Sequence, residues 1–183
     1  MLLAGPGTGK TTRVKEIIEK RSDLNGILVV SFTNATINDL RTRFAKKDIK
    51  IDPKSCITLH KLAYKLNNLR DIHVLSDHEQ SILKKYAEKM GVNEQDLYNY
   101  FNCTTFDDMV TKSTSWMKLN PEYVTDKLGP IKLLIVDEFQ DFNSIEANLI
   151  YEIAKKADDT LILGDDDQCI YSFKQAKTTE IIN

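Results

Sequence analysis

The chain has 183 residues, 42% of them hydrophobic and 28% charged, with 7 Gly and 4 Pro; this is an ordinary globular composition, and it excludes collagen-like, low-complexity and wholly disordered classes. Its net charge of −2 hides an asymmetry: residues 1–70 carry 14 Lys/Arg against 6 Asp/Glu, and residues 71–183 carry 11 against 21. A basic half able to face a polyanion is one reading of that split, and mutual neutralisation within the fold is the other. Cys56, Cys103 and Cys169 are odd in number and widely spaced, and His60, His73 and His78 adjoin no cysteine pair, so neither a disulfide framework nor a structural metal is expected. Apolar stretches such as Ile27–Val30 and Ile131–Val136 fall far short of the roughly 20 residues that a membrane span needs. With no signal-peptide pattern at the start, the expectation is a cytoplasmic chain without a membrane partner.

Leu2-Leu3-Ala4 reads as a strand running into a glycine-rich turn, AGPGTGKTT at 4–12. Backbone N–H groups around Gly5 to Gly9 can wrap a polyphosphate, Lys10 can reach the β- and γ-phosphates, and the Thr11 hydroxyl can ligate Mg²⁺. The strict pattern asks for Gly where Ala4 stands, a difference of one methyl group. Ala4, Gly5, Pro6, Gly7, Thr8, Gly9, Lys10, Thr11 and Thr12 are therefore the candidate ATP-binding residues. Thr11 to Lys20 predicts a helix, with Val14, Ile17 and Ile18 at helical spacing and its N-terminal dipole favourable for anions. Ile27–Phe32 predicts a strand buried on both faces. A helix over Ile37–Lys46, a shorter strand over Ser55–Leu59 and a helix over His60–Leu69 follow.

Between about Leu69 and Lys127 the signals are helical and no strand is expected. Ser76 and Glu79 form a capping box that opens a helix over Asp77–Met90, and Gly91 stops it. Another helix starts near Thr105 and runs past Trp116 to the Asn120-Pro121 break. Strand, helix and strand then return at Ile131–Val136, Ser144–Ala157 and Thr160–Leu163. The pattern predicts an α/β parallel sheet interrupted by a helical insertion.

Two strand ends carry further chemistry. In LLIVDEFQD, Leu133 to Asp141, an apolar run delivers Asp137 to a metal at the sheet edge, and Glu138 is placed to polarise an attacking water as general base. In LILGDDDQCIYSFKQA, Leu161 to Ala176, the Gln168 amide can sense a γ-phosphate. Tyr171 and Phe173 with Lys174 suit stacking on single-stranded bases; the competing reading is that the rings are core.

Taken in order, AGPGTGKT, VVSFTNATINDLRTRF (29–44), ITLHKLAYKL (57–66), and VDEFQD with LGDDDQCIYSFKQA resemble the N-terminal motor domain of superfamily 1 DNA helicases of the UvrD/Rep/PcrA type. HVLSDHEQSILKK (73–85) resembles the start of the helical domain that this family inserts. The resemblance implies a RecA-like P-loop NTPase sheet. Segments 1–68 and 126–183 would form the ATP-binding motor domain, and 69–125 the inserted helical accessory subdomain. It implies ATP and Mg²⁺ as cofactors, single-stranded and duplex DNA as partners, and ATP-driven movement on single-stranded DNA with duplex unwinding. Lys10, Glu138 and Gln168 take the catalytic roles, and Thr11 and Asp137 the metal. Phe32, Thr33, Asn34, Thr58, His60, Tyr171, Phe173 and Lys174 contact DNA. Read without the resemblance, Phe32 is core and His60 starts a helix.

Departures from the pattern matter. Where relatives read YSWRGA this chain reads YSFKQA, and Lys174 cannot make an arginine's planar bidentate contact. Thr12 stands where relatives often place Arg. The second RecA-like domain, with its arginine fingers, is missing from this sequence, so the chain alone is expected to hydrolyse ATP very slowly. The competing classes are a nuclease-associated single-strand translocase, a P-loop ATPase unrelated to DNA, and a nucleotide-dependent single-strand binding module without unwinding activity.

Overall fold

A computed structural model of the chain describes residues 10–21, 25–49, 51–67, 72–120 and 122–164. In chain order these form α1 (Lys10–Glu19), β1 (Ile27–Ser31), α2 (Asn34–Lys46), a 3-10 turn at Pro53–Ser55, β2 (Cys56–Thr58), α3 (Leu59–Asn67) and β3 (His73–Val74). Then come α4 (Asp77–Met90), α5 (Glu94–Tyr100), β4 (Cys103–Thr104), α6 (Phe106–Leu119), α7 (Tyr123–Leu128), β5 (Ile131–Val136), a 3-10 turn at Phe139–Asp141, α8 (Ser144–Ala154) and β6 (Ala157–Ile162). The expected strand at Leu2–Ala4, the loop Ala4–Gly9, and Gln168, Tyr171, Phe173 and Lys174 lie outside the described residues.

Four strands pair in the order β2-β1-β5-β6, all parallel. Ser31 lies beside Thr58, Val30 beside Val136, and Val136 beside Ile162. The C-terminal ends of all four strands therefore stand level along one edge. Alternation along β5 divides the core in two, because successive side chains leave opposite faces. Leu133 and Ile135 join Val14, Ile18, Ile37, Leu40 and Phe44 on the side of α1 and α2. Leu134 and Val136 join Leu59, Leu62, Met109, Leu149, Ile150 and Ile153 on the side of α3, α6 and α8.

The predicted capping box is present in full: Ser76 caps α4, Glu79 answers it, and Gly91 closes the helix at φ 63°. Thr105 and Asn120 bound α6 as expected. The helical middle needs correcting, however. β3 and β4 pair in parallel there, His73 beside Cys103 and Val74 beside Thr104, where no strand was expected. Two residues are too few to show a period-two pattern. α5 and α7 are also additional to the expected helices. β6 begins at Ala157, before the expected Thr160, because its exposed start keeps its pairing, Leu133 beside Asp159. Of the 69–125 segment, α6 and α7 place Met109, Val110, Met117 and Val124 in the larger core, whereas Leu75, Tyr98 and Cys103 make a small core of their own. Among the described residues no helix is long and apolar enough to cross a membrane.

Candidate functional site

Each strand of the parallel sheet ends at the same edge, and at or just after the ends of β1, β2 and β5 stand Phe32, Thr33, Asn34, Thr58, His60, Asp137 and Glu138, all singled out by sequence. At the end of β5, Asp137 is 3% exposed, and its N–H donates to the Val30 carbonyl at 2.9 Å. Next to it Glu138 adopts φ 51° and ψ 50°, a left-handed conformation that costs a side-chain-bearing residue roughly 1–2 kcal/mol. Strain of this kind persists only where neighbours over-determine it. Phe139 N–H donates to Leu163 O at 2.9 Å, and Leu163 N–H to Val136 O at 2.8 Å, so the turn is bolted to the end of β6. The Glu138 carboxylate accepts from Gln140 Nε2 at 2.7 Å. Gly164 lies against that pair, and a Cβ there would meet Gln140 Oε1 at 2.8 Å.

α1 reaches the same side. Arg21, just past its end, donates to the Lys132 carbonyl at 3.2 Å and pairs with Asp159. Both partners belong to the starting halves of β5 and β6, so α1 runs antiparallel to the strands and carries Lys10 toward their C-terminal ends. Thr12 is exposed, and its hydroxyl accepts from Lys47 Nζ at 2.5 Å. The hydrogen bond to Asp39 pushes the Arg43 guanidinium of α2 further up from its ordinary value, and Asp137 and Glu138 add attraction from further away.

The other half of the edge is aromatic. Ring centroids lie 6.2 Å apart for Phe139 and Phe142, 5.7 Å for Phe142 and Phe32, 6.2 Å for Phe32 and His60, and 4.5 Å for His60 and Phe106. A continuous file of rings therefore runs from the acidic turn to Phe106, which is 38% exposed. Phe32 is half-buried against the larger core. Thr33 and Asn34 are exposed, with the Thr33 hydroxyl capping α2. Thr58 is 8% exposed, and its hydroxyl accepts from Lys61 N–H at 3.3 Å at the start of α3. His60 Nε2 meets the buried Glu146 carboxylate at 2.9 Å. Sequence reasoning did not single out Phe106, Gln140 or Glu146. Phe106 has no local signal beyond its place after the Thr105 cap, and only the fold brings it to His60.

A parallel sheet covered on both faces, with a carboxylate pair on one strand end and helix starts along the same edge, defines a RecA-like α/β domain. The sequence profile of the family described as UvrD/REP helicase N-terminal domain matches residues 1–75 and 64–183, and the chain belongs to that family. It is 28% identical to ATP-dependent DNA helicase Rep of Buchnera aphidicola from Acyrthosiphon pisum, over 99% of this chain and 37% of that protein. Identity to the Rep helicase of Buchnera aphidicola from Schizaphis graminum is 26%, over 97% of this chain and 36% of the relative. The chain is 24% identical to a probable DNA helicase II homolog of Mycoplasma capricolum, over 100% of this chain and 34% of that one. It thus spans little more than a third of the length of these curated relatives.

Proposed function

We propose that this chain is the ATP-binding portion of a DNA motor, coupling ATP hydrolysis to movement on single-stranded DNA and to duplex unwinding. In this reading 1–68 and 126–183 form the motor domain, and 69–125 is the inserted subdomain. The observation that supports it most is the single edge on which the acidic turn at Asp137–Glu138 and the ring file ending at Phe106 meet. One end of that edge suits phosphate chemistry, and the other suits a stacked base.

Residues 4–12 would hold the triphosphate, with Lys10 on the β- and γ-phosphates. Thr11 and Asp137 are the donors for Mg²⁺; a carboxylate 3% exposed at a strand end fits a hard cation, since burial calls for a compensating charge. When bound, the ion supplies charge neutralisation on the phosphoryl oxygens. Glu138 takes a proton from the water that attacks the γ-phosphate in line, and Gln168 senses whether that phosphate is present. His60, Phe32, Phe106, Tyr171 and Phe173 line the strand path, with Thr33, Asn34, Thr58 and Lys174 on its backbone. Thr12 remains a candidate nucleotide contact that must leave Lys47 to serve.

The test is binding of a fluorescent single-stranded oligonucleotide to the 183-residue chain, across a salt series, with and without a non-hydrolysable ATP analogue. Affinity should fall linearly on a log–log salt plot and change when the analogue is present. Analogue binding without DNA binding at any salt would instead mark a P-loop ATPase unrelated to DNA.

A further inference from the structure

β1 ends on a buried hydroxyl to which the phosphate chemistry assigns no task. Ser31 is 0% exposed, and among the described residues its Oγ has no hydrogen-bond partner. A buried hydroxyl in that state costs free energy that alanine, one oxygen smaller, would not, so the residue type calls for a reason. Its place supplies one. Along β1, Val29 packs on the side of α1 and α2 and Val30 on the opposite side, so alternation sends the Ser31 side chain back toward α1 and α2. Along β5, Ile135 and Val136 divide in the same way. Asp137 N–H still donates to the Val30 carbonyl at 2.9 Å, which carries the ladder one residue further and puts the Asp137 carboxylate on the Ser31 side. The attraction that Arg43 of α2 feels from Asp137 agrees with that placement. Because Val30 stands beside Val136, Ser31 and Asp137 are lateral neighbours on one face of the sheet, with their backbones roughly 5 Å apart. Thr58 flanks Ser31 on its other side, but its hydroxyl serves Lys61 N–H at the start of α3 and is not bonded to Ser31.

We propose that Ser31 is the positioning residue of Asp137: its hydroxyl donates to the carboxylate that holds Mg²⁺ and turns it toward the ion. A carboxylate offers about four acceptor sites, so it takes this donor beside its other contacts. Carboxylates that ligate metals are themselves held by such hydrogen bonds, and losing one lowers metal affinity about 10–100-fold. Phe32 and Thr33 follow Ser31 directly in the chain, so the same bond anchors the backbone from which the strand path rises. This rests on the reading of Asp137 as a donor for Mg²⁺.

Calorimetric titration of ADP into the 183-residue chain, with and without Mg²⁺, measures the gain in affinity that the ion contributes. S31A should reduce that gain about tenfold and leave the metal-free affinity unchanged. Without ligand its melting temperature should equal or exceed that of the wild type, because the variant sheds a buried hydroxyl that has no partner there. In a D137N background S31A should take nothing further from the gain, as expected when one residue acts through the other. A Mg²⁺ gain that S31A leaves intact overturns the proposal. So does a lowered melting temperature with metal-free and metal-bound affinities falling in step, which would make Ser31 part of the packing at the strand end. A further loss from S31A in the D137N background overturns it as well, since Ser31 would then act elsewhere. A wild-type chain that gains nothing from Mg²⁺ refutes the reading of Asp137 itself, and this role for Ser31 with it.

Discussion

The left-handed backbone at Glu138 makes a sign prediction that ordinary positions reverse. Replacing Glu138 by Ala removes the hydrogen bond from Gln140, worth about 0.5–1.5 kcal/mol, and keeps the left-handed cost of φ 51°. Replacing it by Gly removes the same bond but relieves roughly 1–2 kcal/mol of backbone strain. Against that relief stands the extra freedom glycine gains in the unfolded chain, about 0.5–1 kcal/mol. The Gly variant should therefore be equal to or more stable than the Ala variant, by up to about 1.5 kcal/mol. In a chain of 183 residues each kcal/mol corresponds to about 2–4 °C in Tm. Differential scanning calorimetry of the two variants side by side is the assay. Both should lose ATP turnover by roughly 10²-fold or more in the presence of a complete motor, as expected when a general base is removed. An Ala variant that melts clearly above the Gly variant would refute the strain argument. Turnover retained in both would remove Glu138 from the chemistry.

Gly164→Ala puts a methyl group 2.8 Å from Gln140 Oε1, so the flexible amide swings off Glu138; turnover should fall about threefold to tenfold with ATP-analogue affinity intact, measured by steady-state kinetics and calorimetric titration. Phe106→Ala should weaken single-stranded DNA binding by about 1–3 kcal/mol, the range for a lost stacking ring, and leave nucleotide binding unchanged; an equal loss of both in titrations would make the ring structural. Glu79 is held down to about 2 by the Ser76 N–H, then the Ser76 hydroxyl and His73. A lowered carboxyl pKa stabilises the fold above the unfolded value near 4.5, and that stabilisation is lost as pH falls toward about 2. Wild type should therefore melt above Glu79→Gln at pH 6 and converge with it near pH 2, and a gap that stays constant across that window would disprove the assignment. Lys10→Ala should abolish Mg·ATP binding without changing Tm, and unchanged affinity by calorimetry would clear Lys10 of that role.

What the sequence made legible was whatever is decided within a few neighbours or by burial on both faces. Ile131–Val136 reads as a strand because Leu133, Leu134, Ile135 and Val136 face apolar neighbours on either side. The α4 cap reads directly because Ser76 and Glu79 complete each other three residues apart. The carboxylates Asp137 and Glu138 were visible because they end such a strand. Contacts made across long stretches of chain were not visible. Nothing near Phe106 announces that its ring will stand beside His60, and nothing near Glu146 distinguishes it from an ordinary capping residue. β3 and β4 were missed for a related reason: two residues of pairing are stabilised by the partner strand and carry no pattern of their own. The left-handed turn at Glu138 was equally hidden, since a long acidic side chain is a poor local signal for positive φ.

The ring pair at the edge depends on how α6 is registered against α3. α3 begins beside His60 and α6 at Phe106, and both run away from the strand ends. Seven residues along α3 from His60 stands Asn67, and seven residues along α6 from Phe106 stands Ser113. Asn67 Nδ2 reaches Ser113 Oγ at 2.6 Å and the Met109 and Ala63 carbonyls at 2.9 Å each. Equal offsets of about 10 Å, at 1.5 Å per residue, mean that this one half-buried amide sets the two helix starts level. Apolar contacts among Leu62, Leu66, Met109 and Val110 hold the helices together but are tolerant of sliding, whereas a directional amide is not. Tyr123 adds a second polar tie where its hydroxyl donates to the Leu66 carbonyl. The 4.5 Å spacing of His60 and Phe106 is therefore a consequence of polar registration two turns deeper in the fold. The first ring of the proposed strand path belongs to α6, and α6 is aligned by a residue of α3. Removing 69–125 would strip Phe106 from the edge and lay bare Leu62, Leu66 and Leu149, each at 0% exposure, so that segment is part of the core and, in the proposed reading, of the strand path as well.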